Sequence, residues 1–281
     1  LLREAGLLAD LASLGWRVKD APDLDFESLA ASTTTDNDSH SARHSSIVGA
    51  GCRALSESVR TEIESGHFPL ILGGDHSIAI GSLAGILTSR PNTGVLWVDA
   101  HADLNTPDTS PSGNLHGMPL GLLVEGTGVD CGSIPGLEWL AEAAPSGAEG
   151  EPGSEVVRVP RLDPSSLVYV GLRDVDAGER DMIRRLGIKA FTMHDVDRYG
   201  IGAVTEMALS HLLDSDPTRP LHVSYDIDAV DPQHAPATGT VVRGGLTYRE
   251  AHYVAEEAAR CGNLASAEMV ELNPTLSDGE G

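Results

Sequence analysis

The chain has 281 residues, 41% of them hydrophobic, and carries 19 Lys and Arg against 42 Asp and Glu, a formal net charge of −23. This acidity argues against nucleic-acid binders and against proteins that bind anionic membranes, because both classes need basic patches. No apolar run approaches the roughly 18 residues that a membrane span needs.

The first third of the chain contains two predicted helices. Leucines at helical spacing predict a helix that begins near Leu7, and 17–20 follows as a candidate short strand. The polar stretch 32–46 is typical of a surface loop. Apolar residues spaced by three and four from Val48 to Ile63 then predict an amphipathic helix.

Short apolar runs then alternate with segments of helical length. The runs predict strands at 68–72, 95–98, 166–170, 189–193, 221–225 and 267–270, and the intervening segments predict helices at 77–90, 177–186, 201–213 and 247–260. Thr247 and Glu250 form a capping-box pattern at the start of the last helix. Apolar strands that alternate with helices are typical of a buried parallel sheet, so we expect a single α/β domain over 1–281. We interpret the stretch 126–163, rich in glycine and proline, as a surface insertion.

Acidic and histidine side chains come directly after five of the predicted strands. In chain order they are Asp75 and His76; Asp99, His101 and Asp103; Asp174 and Asp176; Asp226 and Asp228; and Glu271. Ligands of open parallel sheets bind beyond the carboxyl ends of the strands. The sequence therefore predicts a site at this edge.

The spacing of these side chains predicts a metal centre. In extended backbone Asp99, His101 and Asp103 point the same way, as do Asp226 and Asp228. Carboxylates brought together repel one another unless a cation compensates. Four Asp and two His are too many ligands for one tetrahedral zinc and suit two Mn²⁺ ions, which would share bridging carboxylates and polarise a water.

The motifs around these residues resemble the ureohydrolases, the manganese-dependent family of arginase, agmatinase and formimidoylglutamase. The shared blocks are 73–77, 98–103 and 224–228, and the blocks 112–117, 171–176 and 236–240 resemble arginase in particular. The resemblance implies a three-layer α/β sandwich with a mostly parallel sheet. The family's first strand and last helix have no counterpart between Leu1 and Gly281, and Val241 stands where arginases usually carry proline.

The resemblance also implies a role for each site residue. One manganese would be held by His76, Asp99, Asp103 and Asp226, and the other by Asp99, His101, Asp226 and Asp228. Glu271 would receive the substrate guanidinium, Asp103 would protonate the leaving amine, and His116 would shuttle protons. Substrate recognition would fall to Asn105, Ser112, Asn114, Asp176 and Thr240.

The implied activity is hydrolysis of L-arginine to L-ornithine and urea by a hydroxide that bridges two manganese ions, in a homo-oligomer, either a trimer or a hexamer. Two alternatives stay open. One is an agmatinase or another hydrolase of guanidino compounds, because the residues that recognise the α-carboxylate decide the substrate. The other is an inactive metal-binding homologue with a regulatory or structural role.

The compartment is inferred from cysteine usage and missing signals. Three scattered cysteines are too few for a disulfide scaffold, which favours a reducing, cytoplasmic compartment. The chain begins at Leu1 inside a predicted helix, which indicates a fragment, and a lost N-terminal segment would make a mitochondrial location the alternative. We interpret the remaining histidines, His222 among them, as surface or packing residues.

Overall fold

Six parallel strands form the central sheet of the computed structural model, which describes residues 2–26, 28–29, 41–141, 143–144 and 157–276. The strands are β1 (Leu70–Leu72), β2 (Gly94–Val98), β3 (Ala143–Ala144), β4 (Val157–Arg158), β5 (Leu167–Leu172), β6 (Lys189–Thr192), β7 (Leu221–Asp226) and β8 (Leu264–Val270). The α-helices are α1 (Leu7–Ser13), α2 (Ser45–Glu64), α3 (Ala79–Ser89), α4 (Pro119–Leu123), α5 (Ala177–Leu186), α6 (Met193–Leu213) and α7 (Tyr248–Arg260).

The order of the strands in the sheet is β1-β8-β7-β2-β5-β6, and β3 pairs with β4 in a separate two-stranded sheet. Side chains of β2 alternate between two apolar cores. Val95 and Trp97 pack with residues of α3 on one face, and Leu96 and Val98 pack with residues of α6 and α7 on the other. Helices on both faces make this a three-layer α/β fold and explain why β2, β5 and β7 are buried along their whole length.

The predicted secondary structure agrees with the structure at all six sheet strands and at the main helices. The capping box at α7 is present, since the Thr247 amide donates to Glu250 at 2.8 Å and the Thr247 hydroxyl accepts from the Glu250 amide at 3.4 Å. The helix predicted at 201–213 begins earlier, at Met193, with a non-helical residue at Gly200. No helix in the described part of the chain is long and apolar enough to cross a membrane.

Two sequence interpretations need correction. The candidate strand at 17–20 is wrong, because this exposed segment has no strand partner among the described residues. The stretch 126–163 is more than a surface insertion, because Cys131, Leu137 and Leu140 are buried in the core beside α2 and α4. Apolar side chains spaced among its glycines pack inward there. Of the predicted loop 32–46, positions 32–40 lie outside the described residues, as do 142 and 145–156 of the insertion.

Candidate functional site

The candidate site lies beyond the carboxyl ends of four adjacent strands. β1, β8, β7 and β2 are neighbours in the sheet, and each is followed or ended by a predicted site residue. Asp226 ends β7, Asp99 follows β2, Glu271 follows β8, and His76 lies in the turn after β1. Parallel strands thus bring together residues that are up to 195 positions apart in the chain.

A first group of ligands surrounds the buried His76 ring. Its Nδ1 lies 3.1 Å from Oδ2 of Asp99, 3.0 Å from Oδ2 of Asp103 and 3.1 Å from Oδ2 of Asp226. All four side chains are buried, and Nδ1 makes no hydrogen bond of good geometry in the structure. Three carboxylate oxygens therefore converge on one ring nitrogen.

A second group lies on the other side of Asp99. His101 Nδ1 is 3.0 Å from Oδ2 of Asp228 and 3.5 Å from Oδ1 of Asp99. The carboxylate of Asp99 thus presents one oxygen to His76 and the other to His101. Within the described residues, two sets of potential metal ligands are found, His76 with Asp99 and Asp226, and Asp99 with His101 and Asp228. Asp99 belongs to both.

The geometry of the first group suits an octahedral cation. Neighbouring ligands of an octahedral ion with bonds of about 2.1 Å lie about 3.0 Å apart, which is the spacing around His76 Nδ1. Carboxylate oxygens with one imidazole are the donor set that Mn²⁺ and Mg²⁺ favour. The residues present therefore fit manganese.

Electrostatics of the first group indicate that a positive charge belongs there. Burial and the charge of Asp99 raise the pKa of Asp103 to about 8, and they also raise the pKa of Asp226 well above its ordinary value. Burial would lower the pKa of His76, but the close carboxylate groups of Asp103, Asp226 and Asp99 favour its charged form and hold the pKa well above the usual range.

Neighbouring carboxylates also raise the pKa of His101, the histidine of the second ligand group. Burial opposes the charged form of His101, but hydrogen bonds to Asp228 and Asp99 raise its pKa to about 11. Burial likewise opposes the charged form of Asp99, and its hydrogen bonds with His101 and His76 outweigh burial and lower its pKa. The carboxylate of Asp99 therefore favours positive charge on the side of both rings, whether a proton or a metal ion supplies it.

Two site residues have strained backbone. Asp103 has φ of 49° and Glu271 has φ of 62°, in the left-handed region that residues other than glycine seldom adopt. The Glu271 amide donates to the Gly74 carbonyl at 2.8 Å, and its Oε1 accepts from the His76 amide at 2.7 Å. These bonds tie the turn after β1 to the end of β8, and such strain is typical of functional positions.

An open cavity lies above the two ligand groups. Six acids line it, Asp103, Asp174, Asp176, Glu179, Asp226 and Glu271, and none of its lining residues is Lys or Arg. A cavity of this charge favours a cationic ligand.

The predicted substrate and proton-transfer residues are largely at this cavity. Asn105, Ser112, His116, Asp176, Thr240 and Glu271 line it together with the metal-ligand candidates His101 and Asp103. Asn114 is not one of the lining residues and instead precedes the short 3₁₀ helix Leu115–Gly117. Asn105 donates to Asp176 at 2.9 Å, and Thr240 donates to Asp228 at 3.1 Å.

Sequence reasoning missed several supporting residues. Trp97 stacks on the His76 ring at 4.1 Å between centroids and donates from Nε1 to Oδ2 of Asp99 at 2.9 Å. Glu179 is buried at the cavity wall and accepts from the amides of Leu104 and Asp176. Glu268 in β8 is a third such residue, and its signal in the sequence is a carboxylate within a buried strand.

Comparison with known proteins identifies the family. The model of the arginase family matches residues 2–280. An arginase of Glaciozyma antarctica is 42% identical over 98% of this chain and 74% of its own length, and Arginase-1 of Homo sapiens is 42% identical over 98% and 79%. The crystal structure of arginase from Bacillus cereus superposes with a TM-score of 0.80 at 38% identity, covering 98% of this chain and 83% of that one. The chain therefore belongs to the arginase family.

Proposed function

We propose that this chain hydrolyses L-arginine to L-ornithine and urea at a centre of two manganese ions. The observation that carries the proposal is the pair of ligand groups that share Asp99 at the floor of an acidic cavity. His76, Asp99, Asp103 and Asp226 would hold one ion, and Asp99, His101, Asp226 and Asp228 the other. When bound, paired ions of this kind lower the pKa of water and so supply a hydroxide nucleophile at neutral pH.

Glu271 is proposed to bind and orient the guanidinium group. Its carboxylate lines the cavity, and the bond from the His76 amide to Oε1 fixes its position beside the first ligand group. Burial and the charge of Asp75 raise the pKa of Glu271, so its charged form gains from a cationic partner. A carboxylate can form paired, charge-assisted hydrogen bonds with a planar guanidinium, which would hold the guanidinium carbon over the metal centre.

Asp103 and His116 are proposed to move the proton. Hydrolysis adds one water to arginine, and the amine that leaves as ornithine must take up a proton. Asp103 lies in the first ligand group and lines the cavity, so its carboxylate is placed where the leaving amine would form. His116 is half-buried at the cavity wall, where its ring can pass protons to solvent.

Recognition of the amino-acid end is assigned to polar residues that are not themselves metal-ligand candidates. The Asp176 carboxylate would bind the α-ammonium, and the bond from Asn105 orients it. Asn105, Ser112 and Asn114 would recognise the α-carboxylate, and Thr240 is oriented by its bond to Asp228. Agmatine has no α-carboxylate, so the presence of Asn105 and Ser112 at the cavity favours arginine as the substrate.

The family resemblance also supports a homo-oligomer, a trimer or hexamer of single-domain chains, in a cytoplasmic or mitochondrial compartment. Sedimentation of the purified protein tests the assembly.

Urea release tests the proposed activity. The protein is stripped of metal with a chelator, reloaded with Mn²⁺ and assayed with L-arginine and with agmatine at equal concentrations. We expect urea from arginine only after reloading, with kcat/KM well above that for agmatine. Preference for agmatine would make the chain an agmatinase, and no urea from either compound after Mn²⁺ binding would indicate an inactive homologue.

A further inference from the structure

Buried polar side chains lie behind His76, on the side of the ring opposite the three carboxylates. They come from α3, β7 and β8, and each is at most 1% exposed: Ser82, His222, Ser224, Ser266 and Glu268. A carboxylate in the middle of a buried strand is costly unless its oxygens accept hydrogen bonds. Glu268 therefore needs both a set of partners and a reason to be there.

The chemistry of the partners fixes the direction of each hydrogen bond. An ionised carboxylate only accepts, so the Ser224 hydroxyl donates to Oε1 of Glu268 at 2.7 Å and the Ser82 hydroxyl donates to Oε2. Since the Ser224 proton is directed at Glu268, its oxygen accepts from Nε2 of His76 at 2.8 Å. The His76 ring must then carry a proton on Nε2.

This direction decides which ring nitrogen is free for a metal. With the Nε2 proton directed to Ser224, the Nδ1 lone pair of a neutral ring faces the oxygens of Asp99, Asp103 and Asp226. Without an acceptor at position 268, Ser224 could donate to Nε2 instead, which would place the ring proton on Nδ1, on the metal side. The stacked Trp97 ring holds the plane of His76 but is indifferent to the position of its proton.

We propose that Glu268 is a positioning residue that acts through Ser224 to hold His76 in the tautomer that binds a metal ion. The inference rests on the metal centre proposed above and adds a residue beyond its ligands. Polar partners that orient metal-ligating histidines typically contribute 10–100-fold to metal affinity. His222 Nε2 is 3.4 Å from Oε1 of Glu268, so the serines supply the shorter bonds to this carboxylate.

A substitution without an acceptor tests the role of the carboxylate. Glu268→Met keeps most of the side-chain volume but cannot accept from Ser224. Titration with Mn²⁺, followed by the electron paramagnetic resonance of the free ion, should show one of two sites weakened about tenfold or more and the other unchanged. At saturating Mn²⁺ kcat should return to that of the wild type, because the loaded centre has the same ligands.

Two matched variants separate positioning from general support of the fold. Glu268→Gln can still accept from Ser224 through its amide oxygen while its amide nitrogen donates to Ser82, so it should retain affinity within about threefold of the wild type. Ser82→Ala removes the other bond to Glu268 but leaves the link through Ser224, and it should also retain affinity. A general structural role for Glu268 would instead weaken both ions and lower the Tm of the metal-free protein in every variant.

A double-mutant cycle shows whether the effect passes through Ser224. In the Ser224→Ala background, Glu268→Met should cause less than a twofold further loss of Mn²⁺ affinity, because the link is already broken. Equal losses in both backgrounds, or unchanged affinity in the single variant, would overturn the inference while leaving the metal centre intact. A wild-type chain that binds no Mn²⁺ would overturn both. If Glu268→Met does not fold, Glu268→Leu provides the same comparison.

Discussion

Replacement of Asp99 by asparagine should abolish metal-dependent stabilisation, because Asp99 belongs to both ligand groups. Its Oδ1 accepts from the His101 amide at 2.7 Å, and its Oδ2 accepts from Trp97 Nε1 at 2.9 Å. Asparagine has one oxygen, so its amide nitrogen would face a donor on one side and leave that donor unsatisfied, at a cost of about 1–3 kcal/mol. Loss of the charge relieves repulsion with Asp103 but also removes the attraction to His76 and His101, so the effects partly cancel in the metal-free protein.

The effect of Asp99→Asn on stability should be larger in the presence of Mn²⁺ than in the metal-free protein. At a free ion concentration 100 times Kd, each site adds about 2.7 kcal/mol to the unfolding free energy, or about 5 kcal/mol for two sites. At about 2–4 °C per kcal/mol, Mn²⁺ should raise the Tm of the wild type by about 10–20 °C. Asp99→Asn, weakened at both sites, should gain at most about 2 °C at the same Mn²⁺ concentration.

Differential scanning calorimetry with and without Mn²⁺ measures this difference. Asp108→Asn is the matched control, because Asp108 is exposed and belongs to neither ligand group. It should respond to Mn²⁺ as the wild type does. A full Mn²⁺-dependent rise in Tm for Asp99→Asn would refute the assignment of a shared ligand.

Three further predictions concern the surroundings of the ligands. Glu271→Gln should lower kcat/KM for arginine about 10–100-fold, which is the cost of one charge-assisted hydrogen bond. Elemental analysis should still find manganese in this variant. Loss of the manganese would instead mean that Glu271 supports the metal ligands. Arg173 donates to the carbonyls of Asp228, Ala229 and Val242. Arg173→Ala should therefore lower the unfolding free energy measured by urea denaturation by about 2–3 kcal/mol. An unchanged urea midpoint would contradict this prediction. Burial raises the pKa of Glu179 from 4.5 to about 7. Between pH 4.5 and pH 7 the native state therefore binds more protons than the unfolded state. The unfolding free energy should fall as the pH rises through this range. Glu179→Gln should reduce this fall in unfolding free energy by up to about 3 kcal/mol between pH 4.5 and 8. If the unfolding free energies of the variant and the wild type depend on pH in the same way, the pKa of Glu179 is not raised.

Much of the fold could be predicted because buried parallel strands are continuous apolar runs with a distinct polar residue at the end. Asp99 after β2 and Asp226 at the end of β7 stand out for this reason. The carboxyl ends of neighbouring strands meet at one edge, so the ligand groups follow once the sheet is predicted. The packing of the stretch 126–163 could not be predicted, because glycine and proline dominate its composition whereas a few apolar residues such as Leu137 decide its packing.

The support behind the ligands could not be predicted from the sequence. Glu268 reaches Ser82 and Ser224 only because β8 lies beside β7 and beneath α3, and the spacing of these residues in the chain carries no sign of that contact. The same is true of Trp97, which reads as an ordinary core residue until its ring is found against His76. The sequence predicts only a surface or packing role for His222, whereas its contacts with Ser266 and Glu268 place it in a buried polar network.

A crystal of the protein grown with Mn²⁺ provides the most direct test of the metal centre. Anomalous scattering from manganese should show two peaks, one among His76, Asp99 and Asp226 and the other among Asp99, His101 and Asp228. Paired catalytic ions typically lie about 3.5–4 Å apart, and we expect that separation here. A single peak, or peaks away from Asp99, would contradict the account.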